Sequence, residues 1–380
     1  MLAPTMLPAE RRPLAALVDI VEPWRSLAAR AVEPNVFYDP DFALAAAPVL
    51  GRDVQAVLVW SADAPRRLVG LFPFEIATRR YGVKLPLLVG WTHRFAPLGT
   101  PLVDRDACAQ VVAAFLDHVA DDETLPKRML LPLVAETGPV ASALQSALAR
   151  RGGVSAAFGR HRRAVLRPGG ERAGYVERAI GRKRRKELRR QRHRLADVGP
   201  LSFALATTPG EVGPALKDFL ALEAGGWKGR AGTAIAGHPD IRRFVETAID
   251  ALAARGGVAV ARLCCRSRPI ASIVTLKSAN AAWSWKIAYD ESFAGSSPGV
   301  QAFIDLTEAM LADENLVSVD SCASPDHPMI DHLWRERLSI GDWLIGLRGG
   351  AAFDLACRLE AVRREVGALA RQLRDRMRRR

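Results

Sequence analysis

Ala288-Tyr289-Asp290-Glu291-Ser292-Phe293-Ala294-Gly295-Ser296-Ser297-Pro298-Gly299 joins two apolar stretches of different period. Ala281 to Tyr289, ahead of it, reads as a strand, and Val300 to Ala312, behind it, has the spacing of a helix. A Ser-Ser-Pro-Gly loop feeding a helix suggests Ser297 as N-cap and Pro298 in the first turn. On that reading the amides of Gly299, Val300 and Gln301 point outward at the positive end of the helix dipole, an arrangement suited to phosphate. The same pattern is also what a simple capped helix after a loop would show.

Working outward, the second half of the chain begins after a Pro168-Gly169-Gly170 break. Tyr175 to Ala196 reads as one long basic helix ended by Gly199-Pro200, followed by a strand at Leu201 to Thr207 and a helix at Pro214 to Gly225. A glycine-rich loop, Gly225 to Gly237, leads into a helix over Pro239 to Arg255. Val258 to Cys265 and Ile270 to Ser278 form an antiparallel pair, then come the strand and helix already described and a last strand at Ser318 to Ser321. The first half also alternates: helices at Leu14 to Ala31, Cys108 to Ala120 and Val140 to Arg151, with strands at Val54 to Trp60, Leu68 to Glu75 and Met129 to Val134. The expected fold is α/β (α+β), with mixed, mostly antiparallel sheets flanked by helices. The expected domains are 1–168, 169–350 and a basic C-terminal helix over 351–380.

The net charge is +13, but it is concentrated. Arg182 to Arg194 carries +8 and Arg371 to Arg380 carries +5, leaving the other 357 residues neutral. A nucleic-acid-binding surface over the whole protein is therefore not implied. The helix at 182–194 reads as a solvated face, as a surface for an acidic partner or anionic membrane, or as a site for tRNA, in that order. The C-terminal arginines read as a solvated tail with loose affinity for anions. No stretch of about 18 uncharged apolar residues occurs, which excludes a transmembrane helix. Met1 to Arg12 lacks the pattern of a signal peptide, and the five cysteines show no CxxC spacing. Cytoplasmic location, no disulfide framework and no metal are the expectations.

Leu220 to Thr233 (LALEAGGWKGRAGT) sets a Trp-Lys-Gly-Arg tetrad among glycines, which reads either as a mobile cationic loop or as a helix C-cap followed by surface loop. In the first reading Lys228 and Arg230 hold an anionic group, Trp227 offers an aromatic platform, and Glu223 faces the same space. Lys286, between Trp285 and Ile287, either reaches a cleft or snorkels. His93, after a strand, is a candidate lining residue.

The basic segment RKRRKELRRQRHRL, LEAGGWKGRAGTA and AYDESFAGSSPGVQ, in this order, resemble the GNAT-related acetyltransferase family labelled as involved in cellulose biosynthesis, itself similar to FemAB-type aminoacyl transferases. The resemblance is strongest from about Arg178 to Asp320 and extends to the PNVFYDPDF segment at Pro34 to Phe42. It implies two GNAT-like units in tandem and acetyl-CoA, or another acyl-CoA, as donor substrate. Ser296, Ser297, Gly299, Val300 and Gln301 would bind its diphosphate, although only one glycine stands where the usual GNAT loop has two. The strand at Ala281 to Tyr289 would splay from its neighbour and pair with the pantetheine arm. Asp290 and Glu223 are the candidate bases and Tyr289 the candidate proton donor to the leaving thiol. Trp227, Lys228, Arg230, Lys286 and His93 are the candidate substrate-binding residues. The acceptor would be an amine or hydroxyl, plausibly on a saccharide or envelope precursor. An aminoacyl-tRNA donor and a non-catalytic accessory protein of polysaccharide synthesis are the alternatives.

Overall fold

The computed structural model describes residues 7–167, 169, 172–325 and 327–378, with side chains to 373. Pro168 and Gly170 of the expected break, and Arg379 and Arg380, lie outside the described residues. The strands are β1 (Ala9–Pro13), β2 (Gln55–Trp60), β3 (Leu68–Ala77), β4 (Leu87–Gly90), β5 (Leu102–Val103), β6 (Arg128–Ala135), β7 (Val154–Leu166), β8 (Leu201–Ala206), β9 (Val258–Cys265), β10 (Arg268–Ser278), β11 (Ala281–Tyr289), β12 (Ser318–Asp320) and β13 (Glu336–Gly346). The helices are α1 (Val21–Arg30), α2 (Pro40–Leu50), α3 (Cys108–Asp121), α4 (Pro139–Arg151), α5 (Tyr175–Ala179), α6 (Arg182–Val198), α7 (Pro209–Gly225), α8 (Trp227–Arg230), α9 (Pro239–Ala253), α10 (Pro298–Ala312) and α11 (Ala351–Arg378). The fold is mixed α/β, with mixed sheets flanked by helices.

Two compact units form, and neither is a single run of chain. The first comprises residues 1–35, 51–161 and 339–380; the second comprises 36–50 and 162–338. Strands β7 and β13 each pass from one to the other.

In the first unit the strand order is β1-β2-β3-β4-β6-β13, with β5 on β3; β4 and β6 are parallel and their neighbours antiparallel. One core joins α3 and α4 to the sheet, with Phe72 stacked on Phe115 at 4.0 Å. The N-terminal part of α11 is fastened by Phe353, Ala356 and the buried Glu360, whose carboxylate is bound by Arg80 and Arg364.

The second unit runs β7-β12-β11-β10-β9-β8, antiparallel except for the parallel pair β12 and β11. Alternate residues of the central strands, Ala261, Leu263, Ala271 and Ile273, join Phe303 and Leu306 of α10 and Leu188 and Leu195 of α6 in one core. Helix α2 packs on α9 through Phe42, which meets Phe244 edge-on at 5.3 Å and Trp285 at 5.9 Å.

Several expected elements differ, two of them in the second unit near the basic helix and the glycine-rich loop. The basic helix is broken at Ile180 and Gly181, whose extended backbone separates α5 from α6. The glycine-rich loop holds a helical turn, α8, because Gly229 lets the chain close on itself: a Cβ there would lie 1.8 Å from the Ala224 carbonyl oxygen.

Candidate functional site

Strands β11 and β12 pair only through Ala281, Ala282 and Trp283 of β11 and Ser318, Val319 and Asp320 of β12. Beyond Trp283, β11 runs on for six residues while the chain after Asp320 turns away. The divergence coincides with a bulge in β11, where the register against β10 shifts so that Lys286 and Ser284 face adjacent residues and Trp285 is the extra one. A bulge raises local twist and re-aims a strand, which accounts for the parting of the two edges. Asp320 fixes the other side of the fork: it forms a buried ion pair with Arg163 of β7 and accepts the Cys322 amide at 2.8 Å, with Cys322 at φ +52°.

Between the parted strands lies a cavity of about 570 Å³. One wall is Ser284 to Tyr289 of β11; the opposite wall is Ser321 to Ser324, with His327, Met329 and Ile330. The start of α10, from Ser297 to Val300 with Phe303, closes one end, and Glu223, Gly226, Trp227 and Lys228 line another part. All belong to the second unit.

Of the sequence-derived candidates, Glu223, Tyr289, Ser297, Gly299, Val300, Trp227, Lys228 and Lys286 line this space. Ser296, Gln301, Asp290 and Arg230 do not. His93 lies in the first unit, its ring against Trp91, and its Nδ1 accepts the Phe95 amide.

The helix start is more closed than its sequence suggests. Pro298 has no donor, and the Val300 and Gln301 amides both donate to the Ser297 carbonyl, at 3.0 and 3.1 Å. Gly299 alone keeps its amide unbonded among the described residues, and Ser297, at φ +51°, makes no side-chain cap. A helix start leaves four orphan donor positions, from the N-cap to the third residue of the helix; here the Ser297 amide bonds the Ala294 carbonyl, Pro298 has no N–H and the Val300 amide makes a 3₁₀ bond, while the Gln301 amide is already a regular helix donor. The Gln301 side chain instead donates to the Leu188 carbonyl in the core.

The charged candidates are also engaged. Glu223 accepts from Lys228 Nζ at 2.8 Å through one oxygen and from the Ile235 amide at 2.9 Å through the other. Arg230 donates to Glu291 at 2.5 Å, and the other oxygen of Glu291 accepts the Trp227 amide. These contacts pin α8 rather than leaving a mobile cationic loop. Asp290 accepts from the Ser292 amide and hydroxyl and from Arg268. Burial works to raise its pKa, but the hydrogen bonds from Ser292 and the charge of Arg268 outweigh it and hold the carboxyl below its ordinary range.

Cys322, Ser321, Ser324 and Ser284 were not singled out by sequence. The run Ser321-Cys322-Ala323-Ser324 of small residues after a strand is the signal that could have found the first three; Ser284, inside β11, has none. Burial, and then the negative charge of Asp320, push the Cys322 thiol well above its ordinary pKa, so it is a neutral lining group. Tyr289 and His327 also line the cavity with polar atoms left over: among the described residues the Tyr289 hydroxyl has no protein partner, and His327 uses only Nδ1, accepting the Met329 amide at 3.4 Å. Among the described residues no cluster of His, Cys, Asp or Glu suits a metal ion.

A forked pair of parallel strands with unpaired backbone along one prong can accept an extended, amide-bearing ligand as an added strand. Residues 182–327 match the acetyltransferase (GNAT) domain model, and the mixed sheet flanked by helices is GNAT-like. FemX shares this fold, with a TM-score of 0.56 at 8% identity over 85% of this chain and 95% of that one. So does the C-terminal domain of a putative lysylphosphatidylglycerol synthetase from Agrobacterium fabrum (TM-score 0.53, 13% identity, 91% of this chain and 97% of that one). A conserved protein of unknown function from Bacteroides thetaiotaomicron is similar as well (TM-score 0.54, 14% identity, 90% and 99%). No curated protein matches the chain in sequence.

Proposed function

We propose that the protein transfers an acyl group from an acyl-CoA thioester to an amine or hydroxyl, with the donor's pantetheine arm lying along β11. The fork beyond Trp283 and Asp320 carries this reading, since it exposes strand backbone to a cavity of thioester size. In the reaction the acceptor nitrogen or oxygen attacks the carbonyl carbon, the C–S bond breaks, and the thiolate leaves. Tyr289 gives the departing sulfur its proton, and His327 takes the proton lost by the nucleophile. The acceptor is a saccharide or cell-envelope precursor, as the resemblance to the cellulose-biosynthesis-type family implies.

Calorimetry of the whole chain with acetyl-CoA tests the donor. Saturable binding is expected, retained in Gly299→Ala and lost in Gly299→Trp. A methyl group at this position meets Tyr289 and Ile287 at ordinary contact of 3.4 and 3.5 Å, whereas an indole fills the cavity. Failure of acetyl-CoA to bind overturns the reading.

One observation favours a second donor class. A single free amide at the start of α10 is a weak grip on a diphosphate, while α6 beside it exposes Arg182, Lys183, Arg184, Lys186, Arg189 and Arg190. An aminoacyl-tRNA would use that charge, and its binding would weaken steeply as salt rises.

A further inference from the structure

Helix α11 carries two apolar stripes. Phe353 and Ala356, with Glu360 among Arg80, Arg364 and the more distant Arg363, fasten one side to the first unit. About 140° away around the helix, at ~100° per residue, Leu355, Val362, Val366, Leu369 and Leu373 form a second stripe, exposed at 46%, 55%, 60%, 60% and 60%. Large aliphatic residues repeated on one exposed helical face need an occupant.

The charge around the stripe decides which one. Residues 351–380 hold nine arginines and four acids, and one of those acids, Glu360, is buried in ion pairs. Arg358 borders the stripe on one side and Arg363 on the other. With Leu359, the stripe has the alternating 4-3 spacing of a coiled-coil seam, but its flanks oppose self-pairing. A parallel pair sets Arg358 against the partner copy's Arg363; an antiparallel pair sets Arg363 against Arg363 and Glu365 against Glu365. An aliphatic stripe bordered by arginines matches an anionic bilayer surface instead, with leucine and valine in the acyl boundary and guanidinium groups at lipid phosphates.

We infer that α11 is a membrane-surface helix that docks the protein on anionic phospholipid through Val362, Val366, Leu369 and Leu373. It lies on the bilayer and does not cross it: no described helix is long and apolar enough to span a membrane.

Sedimentation of the whole chain with vesicles tests this, comparing phosphatidylcholine alone with vesicles in which about a third of the lipid is phosphatidylglycerol. Binding to the anionic vesicles, weaker in high salt, is expected. Val366→Asp with Leu369→Asp should lower it about tenfold or more, while the thermal melt stays unchanged because both side chains are exposed. Arg184→Glu with Arg189→Glu on α6 should leave most of the binding in place. The proposal is overturned if the α11 double variant binds as well as the parent, if only the α6 variant loses binding, or if neutral vesicles bind equally. It is also overturned if no vesicle binds. A dimer in sedimentation equilibrium that the α11 variant abolishes, with no lipid binding, would assign the stripe to a second copy of the chain.

Discussion

Glu223 and Asp290 show how a residue's type can be read from sequence while its occupation cannot. Both oxygens of Glu223 are committed, one to Lys228 and one to the Ile235 amide, so the carboxylate holds α7, α8 and the following turn together. Glu223→Ala should cost about 2–4 kcal/mol in urea denaturation, because a buried amide loses its acceptor and Lys228 its partner. Glu223→Gln keeps an acceptor for the amide and should cost about 1 kcal/mol. If Glu223 were the base instead, the Gln variant would keep its stability and lose turnover. Asp290 offers a pH test. Its folded pKa is depressed, so its contribution is present above the unfolded value near ~3.9 and disappears as pH falls through the folded one. Asp290→Asn should therefore lower stability at pH 7 by less than about 1 kcal/mol, since Arg268 is well exposed, and by progressively less as pH falls through the folded pKa. Equal urea midpoints at pH 7 would mean that the charge contributes nothing there.

Elements with a strong period were legible; elements defined by partners were not. The strands β9, β10 and β11 announced themselves through alternation or continuous apolar runs bounded by turns, and α10 through its spacing. The anticipated parting of β11 from its neighbour came from the family resemblance, and the bulge that accompanies it has no local sequence signature. Strands β7 and β13 escaped notice because their long, mixed sequences take strand form from the neighbours they pair with. The start of α7 was placed five residues late, although Thr208 and Glu211 form a capping box there. The fork itself depends on Arg163 and Asp320, one from β7 and one from the end of β12. Asp320→Ala strands a buried guanidinium and should cost about 3–5 kcal/mol, with loss of donor binding as the Cys322 turn relaxes. Adding Arg163→Met should recover much of the stability without restoring binding, because the Cys322 amide still lacks its acceptor. Recovery of both would show that the turn does not need the carboxylate.

At the scale of the whole molecule, the chain exchanges segments between its two units, and no local signal in the sequence records the exchange. Residues 36–50 lie early in the sequence but complete the second unit. Phe42, Ala43, Ala46 and Ala47 are buried, Phe42 touches Phe244 and Trp285, and Asp39 and Asp41 bind Arg255, two residues past the end of α9. Trp285 is also the bulge residue at the fork, so the early segment supports one wall of the cavity from behind. A chain of residues 162–338 alone would contain the whole family-matched segment and every cavity-lining residue, and by sequence it looks like an independent domain. It should nevertheless fold poorly. Without α2 it exposes the apolar faces of Phe244 and Trp285, and the loss resembles a large core truncation repeated over several side chains. In the intact protein, Phe42→Ala alone should lower stability by about 3–5 kcal/mol. Expression of residues 162–338, followed by addition of a peptide spanning 36–50, separates the possibilities: a soluble fold that appears, or sharpens in its thermal melt, only with the peptide is the expected result. A cooperative melt of the truncated chain without peptide, equal to that with it, would show that the second unit stands without its early segment.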